Sequence, residues 1–374
     1  MGGGFYLAGQ SPEAVGKGNA FVATANTAAA VYYNAAGLSQ IDSSSLQVGF
    51  YAVSVDVEAR VGGGDFDVDD DIQVVPQIYA AFRLNEKVVL GLGVNSPFGL
   101  ASDFGDNTSF RTTATRSEIT YATVWTVASY QVNENLSIGG GFGFHHADVT
   151  LRRGVFPTPI GDELTLEGED EAISWTVSAL WQPSEKHSFG VVYRSETDFI
   201  LEGSAELVGP ITPFRNDAQV DFSTPATFAV GYSYRPNSKW NIEANVEWVN
   251  WDSLGTLTVE QDGGADSQLP FEYEDAFVYS IGAEYNFGNG YFARCGYNFI
   301  ESAQPDEFFS PAVADADRQF ISLGLGYKGE NWSWDAAYQF GFSDREVDSA
   351  LDPSVNGRFE TRVHSFSTSV RYDF

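Results

Sequence analysis

Few residues in this 374-residue sequence have the types and spacings that catalysis needs. The four histidines, His145, His146, His187 and His364, are scattered, and no Gly-x-Ser-x-Gly elbow presents a serine nucleophile. A single cysteine, Cys295, rules out a disulfide scaffold and a cysteine-based zinc cluster. The acidic run Asp65-Phe66-Asp67-Val68-Asp69-Asp70-Asp71 looks like a calcium loop, yet it lacks the glycine at its sixth position and the glutamate at its twelfth. It reads as a solvated loop, at most holding a surface cation. Gly139-Gly140-Gly141 lies inside an alternating segment rather than ahead of a helix, which marks close approach of another backbone and not a phosphate cradle. No enzyme activity, metal or cofactor is expected. What remains is binding chemistry: the one adjacent basic pair, Arg152-Arg153, whose planar forks match a carboxylate, and the rings of Phe5, Tyr6, Phe98, Phe104 and Phe110.

Those residues need a scaffold, and composition narrows it. Asp and Glu number 51 against 20 Lys and Arg, a formal net charge of −31, which excludes a nucleic-acid binder. Aromatic residues reach 15% and glycines number 38, while charged residues are only 19%. No stretch approaches the roughly 18 apolar residues of a membrane-spanning helix; the best, Val88–Val94, contains two glycines. The dominant signal is alternation with a period of two, which puts one set of side chains on each face of a strand. Trp240, Ile242, Ala244, Val246 and Trp248 alternate with Asn241, Glu243, Asn245 and Glu247. Trp332, Trp334, Ala336, Tyr338, Phe340 and Phe342 alternate with Ser333, Asp335, Gln339 and Ser343, and the same pattern runs to Phe374.

Short turns near residues 84–87, 133–135, 183–186, 236–238, 288–290 and 328–331 interleave with long polar connections near 59–71, 99–117, 153–170, 204–216, 253–270, 302–316 and 345–357. Thirteen connections join fourteen strands. The expectation is an all-β transmembrane protein: a 14-stranded antiparallel outer-membrane β-barrel over residues 43–374, with long extracellular loops. A soluble sandwich also alternates, but here the apolar face carries tryptophans near strand ends and the other face carries Arg194, Glu243, Glu284, Arg294 and Asp335, which suits lipid outside and a wet lumen inside. Residues 1–42 do not alternate and are rich in Gly, Ala and Asn. Such a block is either a tail on the inner side of the membrane or a plug. Fourteen strands enclose a lumen too wide for wall side chains to fill, and an open lumen leaks, so the expected role is a hatch inside the barrel. No leader precedes Met1-Gly2-Gly3-Gly4; a signal peptide is taken to have been removed.

The order of motifs along the chain resembles the FadL/TodX family of long-chain fatty-acid and hydrocarbon transporters of Gram-negative outer membranes. Gly4-Phe5-Tyr6-Leu7, Gly16-Lys17-Gly18-Asn19-Ala20 and Tyr33-Asn34-Ala35-Ala36-Gly37-Leu38 look like its hatch. Gly91-Leu92-Gly93-Val94-Asn95-Ser96-Pro97-Phe98-Gly99-Leu100, Tyr193-Arg194-Ser195, Thr224-Pro225-Ala226-Thr227 and Glu247-Trp248-Val249-Asn250-Trp251 follow. Pro305-Asp306, Gly324-Leu325-Gly326-Tyr327 and Asp335-Ala336-Ala337-Tyr338 complete the series. The resemblance implies passive uptake: capture of an apolar molecule among the outer loops, binding in an interior pocket, and lateral release at a kinked third strand. It also implies that an arginine near Arg152-Arg153 anchors a fatty-acid head group; the competing reading makes both arginines rim charges facing lipopolysaccharide. Phe98, Phe104 and Phe110 are candidates for the capture groove or for anchoring the loop to the rim. Phe5 and Tyr6 are candidates for the pocket wall or for hatch packing. Asn34 and Gly37 belong to the hatch, where Ala35 stands in place of the family's usual proline.

Within transport, a channel for monoaromatic or other neutral hydrocarbons is the alternative, because residues 252–280 contain no Lys or Arg. A general porin and an outer-membrane lipid hydrolase are the rivals from other classes. The expected partners are a hydrophobic small molecule, outer-membrane lipid and lipopolysaccharide, and the assembly machinery during biogenesis, with no nucleic acid and a monomeric barrel.

Overall fold

Alternation of this kind forces every second side chain outward, and the architecture follows. The structure is a computed structural model describing residues 3–7, 9–68 and 72–374; Met1, Gly2 and Ala8 of the expected hatch and residues 69–71 of the acidic run lie outside the described residues. Fourteen antiparallel wall strands among the described residues form one closed sheet. They are β1 (Ser45–Val61), β2 (Gln73–Arg83), β3 (Val88–Asn95, resuming at Leu100–Asp103), β4 (Arg116–Asn133), β5 (Leu136–Arg153) and β6 (Glu163–Ser184). Then come β7 (His187–Arg194 and Thr197–Val208), β8 (Phe214–Thr224 and Thr227–Asn237), β9 (Trp240–Val249, with Thr256–Gln261 beyond a turn) and β10 (Ser267–Pro270 and Ala276–Asn286). Four more, β11 (Tyr291–Ile300), β12 (Arg318–Lys328), β13 (Trp332–Val347) and β14 (Gly357–Asp373), finish the wall. Pairing of β14 with β1, from Ser45↔Asp373 to Val61↔Gly357, closes it and leaves neither terminal strand as an edge.

The two faces sort as alternation requires. Trp332 is 51% exposed and its neighbour Ser333 3%; Trp240, Ile242, Phe366 and Val370 also face out, while Glu243, Asn245, Ser365 and Ser369 are buried inside. Cys295 is exposed beside Tyr291 and Tyr297 on the outer face. Two of the long connections are shorter than the sequence suggests. The 153–170 stretch becomes strand at Glu163, and the 204–216 stretch contains only 209–213 between strands. Leu164, Leu201, Ala205 and Leu207 keep an apolar inner face there, but Glu163, Glu169, Glu202 and Glu206 lie on the other. Above the membrane the outer face meets water, so a strand there looks like a polar loop. The 253–270 connection likewise carries a small hairpin, Thr256↔Pro270 to Val259↔Ser267.

The N-terminal segment packs against the inner face of the wall. It comprises α1 (Pro12–Val15), capped by the Ser11 side chain, α2 (Ala30–Tyr33) and a 3-10 turn at Ala35–Gln40. Small residues let backbones touch: Ala14, Ala28, Ala29, Ala30 and Ala36 are fully buried. The wall reciprocates. A Cβ on Gly139 would strike the backbone of Ala35 and Ala36, and one on Gly282 would strike the Lys17 carbonyl, so the glycine run expected to admit another backbone does so. Polar ties fix the segment as well: Ala23 N–H donates to Glu243 Oε1 (2.6 Å), Lys17 Nζ lies 3.4 Å from Glu243 Oε2, and Gln47 Nε2 donates to Glu13 Oε1 (3.0 Å). Asn34 Oδ1 accepts from Ala36 N (3.1 Å) while Nδ2 donates to the carbonyls of Val22 (2.8 Å) and Ala179 on β6 (3.3 Å). A side chain on Gly37 would strike the Ala25 carbonyl.

Ala35 opens the 3-10 turn behind an extended Asn34 (φ −167°, ψ 98°). That is the position and preceding conformation a proline accepts. Ala35→Pro is therefore expected to raise stability by about 0.4–1 kcal/mol through the unfolded chain, read as a higher unfolding midpoint in detergent. A lower midpoint would mean the turn needs the freedom that proline removes.

Candidate functional site

The wall is irregular at β3. Ser96-Pro97-Phe98-Gly99 interrupts it, and Pro97 has no N–H to give to a ladder. Before the break β3 pairs with β4 as far as Asn95↔Thr123; after it the pairing resumes at Leu100↔Ile119. On the other side, pairing of β3 with β2 ends at Ile78↔Val94. Residues Gln73–Gln77 of β2 thus pair with β1, and among the described residues no ladder joins their other edge to β3. The start of the chain supplies part of the missing pairing. Leu7 N donates to the Pro97 carbonyl (2.8 Å), Gly99 N donates to the Phe5 carbonyl (3.0 Å), and Tyr6 bridges Phe98. Gln10 clamps the same place, donating to the Ser96 carbonyl (2.9 Å) and accepting from Asn95 Nδ2 (2.9 Å).

A cavity of about 440 Å³ opens against this break. Its walls include Val74 and Pro76 on one side of the unpaired edge and Ser96, Phe98 and Ala101 on the other, with Tyr6 from the N-terminal segment. Its deeply buried polar groups include Arg318, Asn298 and Asn19, while Asp103, Arg116 and Glu118 line a more exposed part. A second, smaller cavity of about 70 Å³, lined by Phe5, Val149, Leu151, Leu201, Phe222 and Leu257 among others, is almost wholly apolar. Leu100 and Ile119 line both, so only a thin apolar partition separates them. Phe5 is the hub of the partition, with ring centroids 4.9 Å from Trp251, 5.8 Å from Phe98 and 5.8 Å from Phe222. Tyr6 turns its hydroxyl the other way, donating to Glu247 Oε2 (3.2 Å) and meeting Tyr32 Oη (3.3 Å). Arg194 completes that polar latch, 3.4 Å from Glu247 and donating to the Tyr32 carbonyl at 2.5 Å.

The expected site residues therefore separate into three places. Phe5, Tyr6 and Phe98 converge on the break. Phe104 and Phe110 do not join them in a surface groove: they pack edge to face (5.2 Å) in an outer-loop core with Phe309 and Phe359, Phe110 having no exposure. Burying a phenyl ring inside the loop cluster outweighs leaving it in water for an absent guest. The two arginines point apart. Arg153 shares the inward face of Val149 and Leu151 and is half-buried, whereas Arg152 is outward, 40% exposed and 3.9 Å from Glu163. Sequence reasoning missed Arg318. Its inward register with Phe320 and Ser322 was legible, but its lack of a partner was not.

The loops over the lumen are tied together by Arg111, which is fully buried. It lies 2.5 Å from Asp106 and 3.2 Å from Asp162 and donates to the Phe156 carbonyl. Asp162 also accepts from the amides of Val155 (2.6 Å) and Phe156 (2.9 Å). Desolvation alone would raise the Asp162 carboxyl, but those amides and the Arg111 guanidinium outweigh it and hold it well below its ordinary value of 3.8. A depressed carboxyl contributes stability that is fully present above 3.8 and lost only as pH falls through the lower folded value. Limited proteolysis of the 99–117 and 153–162 loops should therefore be equally slow at pH 7 and pH 5, and faster at both in Asp162→Asn. Loosening of the wild-type loops at pH 5 would show that the Arg111–Asp162 pair does not hold them. Among the described residues no group of three His, Cys, Asp or Glu is placed to hold a metal ion.

Comparison with known proteins gives the geometry a context. All of residues 1–374 match the family described as outer membrane protein transport protein (OMPP1/FadL/TodX). A long-chain fatty acid transport protein of Salmonella typhi is 22% identical, over 94% of this chain and 89% of its own. A crystal structure of a Pseudomonas aeruginosa FadL homologue superposes with a TM-score of 0.90 at 19% identity, covering 99% of this chain and 100% of the other. The Pseudomonas putida toluene transporter TodX gives 0.81 at 18% identity, with 99% of each chain covered.

Proposed function

The chain belongs to the FadL/TodX family of outer-membrane transport proteins, and from that premise we propose that it takes up long-chain fatty acids or similar hydrophobic molecules passively, releasing them sideways through the break in β3. The N-terminal segment acts as the hatch: it closes the lumen to water and ions and contributes Phe5 and Tyr6 to the pocket. One observation carries the reading, the cavity of about 440 Å³ that runs from Tyr6 to the unpaired edge of β2. An alkyl chain buried there gains roughly 25 cal/mol per Å², so the site needs no catalytic step to collect cargo. A polar pore would offer an apolar solute nothing comparable.

Uptake then has a physical order. Cargo meets the outer loops around Phe104 and Phe110, settles in the apolar cavity below Arg153, passes the Phe5 partition and leaves between β2 and β3. Movement of Phe5 and Tyr6 is the step that joins the two cavities, and it breaks the short pairing with residues 97–99 together with the Tyr6 contacts to Glu247 and Tyr32. A relative and a structural neighbour that carry fatty acid and toluene respectively support hydrophobic cargo of both kinds. The half-buried, inward Arg153 favours the carboxylate-bearing kind.

Equilibrium binding of oleate and of toluene to the purified protein tests this. Oleate is expected to bind, and Arg152→Ala with Arg153→Ala is expected to weaken it. Binding of toluene alone would move the assignment to neutral hydrocarbons, and binding of neither would defeat the uptake reading.

A further inference from the structure

We propose that Arg318 is the anchor for the carboxylate of a long-chain amphiphile inside the larger cavity. This rests on the reading of that cavity as a cargo site and adds the head-group chemistry. Arg318 opens β12 opposite Ile300, is 2% exposed and lines the cavity. Its Nε and Nη2 have no acceptor within hydrogen-bond reach. Among the described residues the other buried cations each face a carboxylate: Lys17 meets Glu243 at 3.4 Å, Arg111 meets Asp162 at 3.2 Å, and Arg294 meets Glu284 at 2.6 Å and Asp335 at 2.5 Å. Arg318 alone of these has no carboxylate within 4 Å. Asp317, its neighbour in sequence, accepts from Ser302 N (2.8 Å), and Asp315, more than 4 Å from the guanidinium, accepts at Oδ2 from Ala303 N (2.7 Å) and Ser302 Oγ (3.1 Å) while its Oδ1 has no partner.

Two further groups on the same cavity are also unmatched. Asn298 donates to Ser280 Oγ (2.8 Å) but its Oδ1 has no donor, and neither side-chain polar atom of Asn19 has a partner. A cation and two amides, all nine-tenths buried or more, thus line one space whose other walls are mixed: apolar at Val53, Phe98, Phe320 and Val363, and charged at Arg116, which is already paired with Asp103 and Glu118. Retaining an unpaired guanidinium in a buried site is costly unless an anion joins it. A carboxylate supplies what is missing: two oxygens for the free edge of the fork, with the Asn19 amide as a second donor. The alkyl tail then extends along the apolar wall toward the β3 break. A neutral hydrocarbon satisfies none of these groups. The place is distinct from Arg152-Arg153, which belong to the end of β5 and do not line this cavity.

The test measures equilibrium binding of oleate and of oleyl alcohol, equal in chain and different in head group, to full-length protein in an uncharged detergent. Wild type is expected to prefer oleate by about tenfold or more, the scale of one charge-assisted hydrogen bond. Arg318→Gln should remove most of the preference and leave oleyl alcohol binding unchanged, and Arg318→Lys should restore part of it. Equal affinity of wild type for the two ligands overturns the proposal without any variant. So does an oleate affinity indifferent to Arg318→Gln, or an equal loss for both ligands, which would mark a structural role. Wild type that binds neither ligand defeats the cargo reading itself, and the anchor with it; binding of both with Arg318 indifferent defeats the anchor alone.

Discussion

Gly139→Val combined with Gly282→Val is expected to produce sustained ionic openings in planar bilayers, where the unaltered barrel is expected to stay nearly silent. The two glycines are where the wall touches the N-terminal segment backbone to side, at Ala35-Ala36 and at Lys17. Branched side chains there cannot be accommodated by rotating a neighbour, because the obstructing atoms are main chain. Overpacking costs about 1–3 kcal/mol at each site, and the sites lie on different strands against different parts of the segment, so the costs should nearly add. The barrel wall keeps its own ladders, and relief comes by displacing the segment from the lumen. Heat-modifiable migration on SDS gels would verify that the barrel is still folded. A folded, silent double variant would show that something other than this segment closes the lumen.

Ala101→Trp is expected to lower fatty-acid uptake by cells about tenfold or more. Ala101 lies in the resumed part of β3 and lines the larger cavity beside the unpaired edge. An indole there competes with cargo for the same space, and an added barrier of about 1.4 kcal/mol already slows passage tenfold. Measured oleate uptake, normalised to folded protein in the membrane, decides it. Unchanged uptake would route cargo somewhere other than the β3 break.

The wall was legible because lipid imposes a strict rule on every second residue: Trp240, Ile242 and Val246 could not alternate with Asn241, Glu243 and Asn245 for any reason other than two unlike faces. The turns were legible because Asn, Gly and Pro mark them. Strand ends beyond the membrane were not, since Glu163 and Glu202 face water on a surface where alternation no longer separates oil from polar. The meeting of Phe5 with Phe98 spans more than ninety residues, and no local pattern announces it; the sequence placed Phe5 with the hatch and Phe98 with the outer loop. Phe104 and Phe110 sit in a connection without a period, so nothing in the sequence says which way their rings turn. Arg318 escaped for a related reason. An inward arginine looks the same in sequence as Arg294, and whether a carboxylate faces it is decided by strands that meet only in the closed barrel.

The pairing of residues 5–7 with 97–99 also bears on how the molecule is made. A strand in the middle of the wall is completed by the beginning of the polypeptide, from within. The cylinder is therefore expected to zip up in the bilayer strand by strand, its third strand keeping a frayed margin until the chain's start has been laid alongside it. Insertion and internal docking share one last stitch, and a chaperone or fusion partner that holds the amino end outside would arrest maturation at a closed but unsealed cylinder.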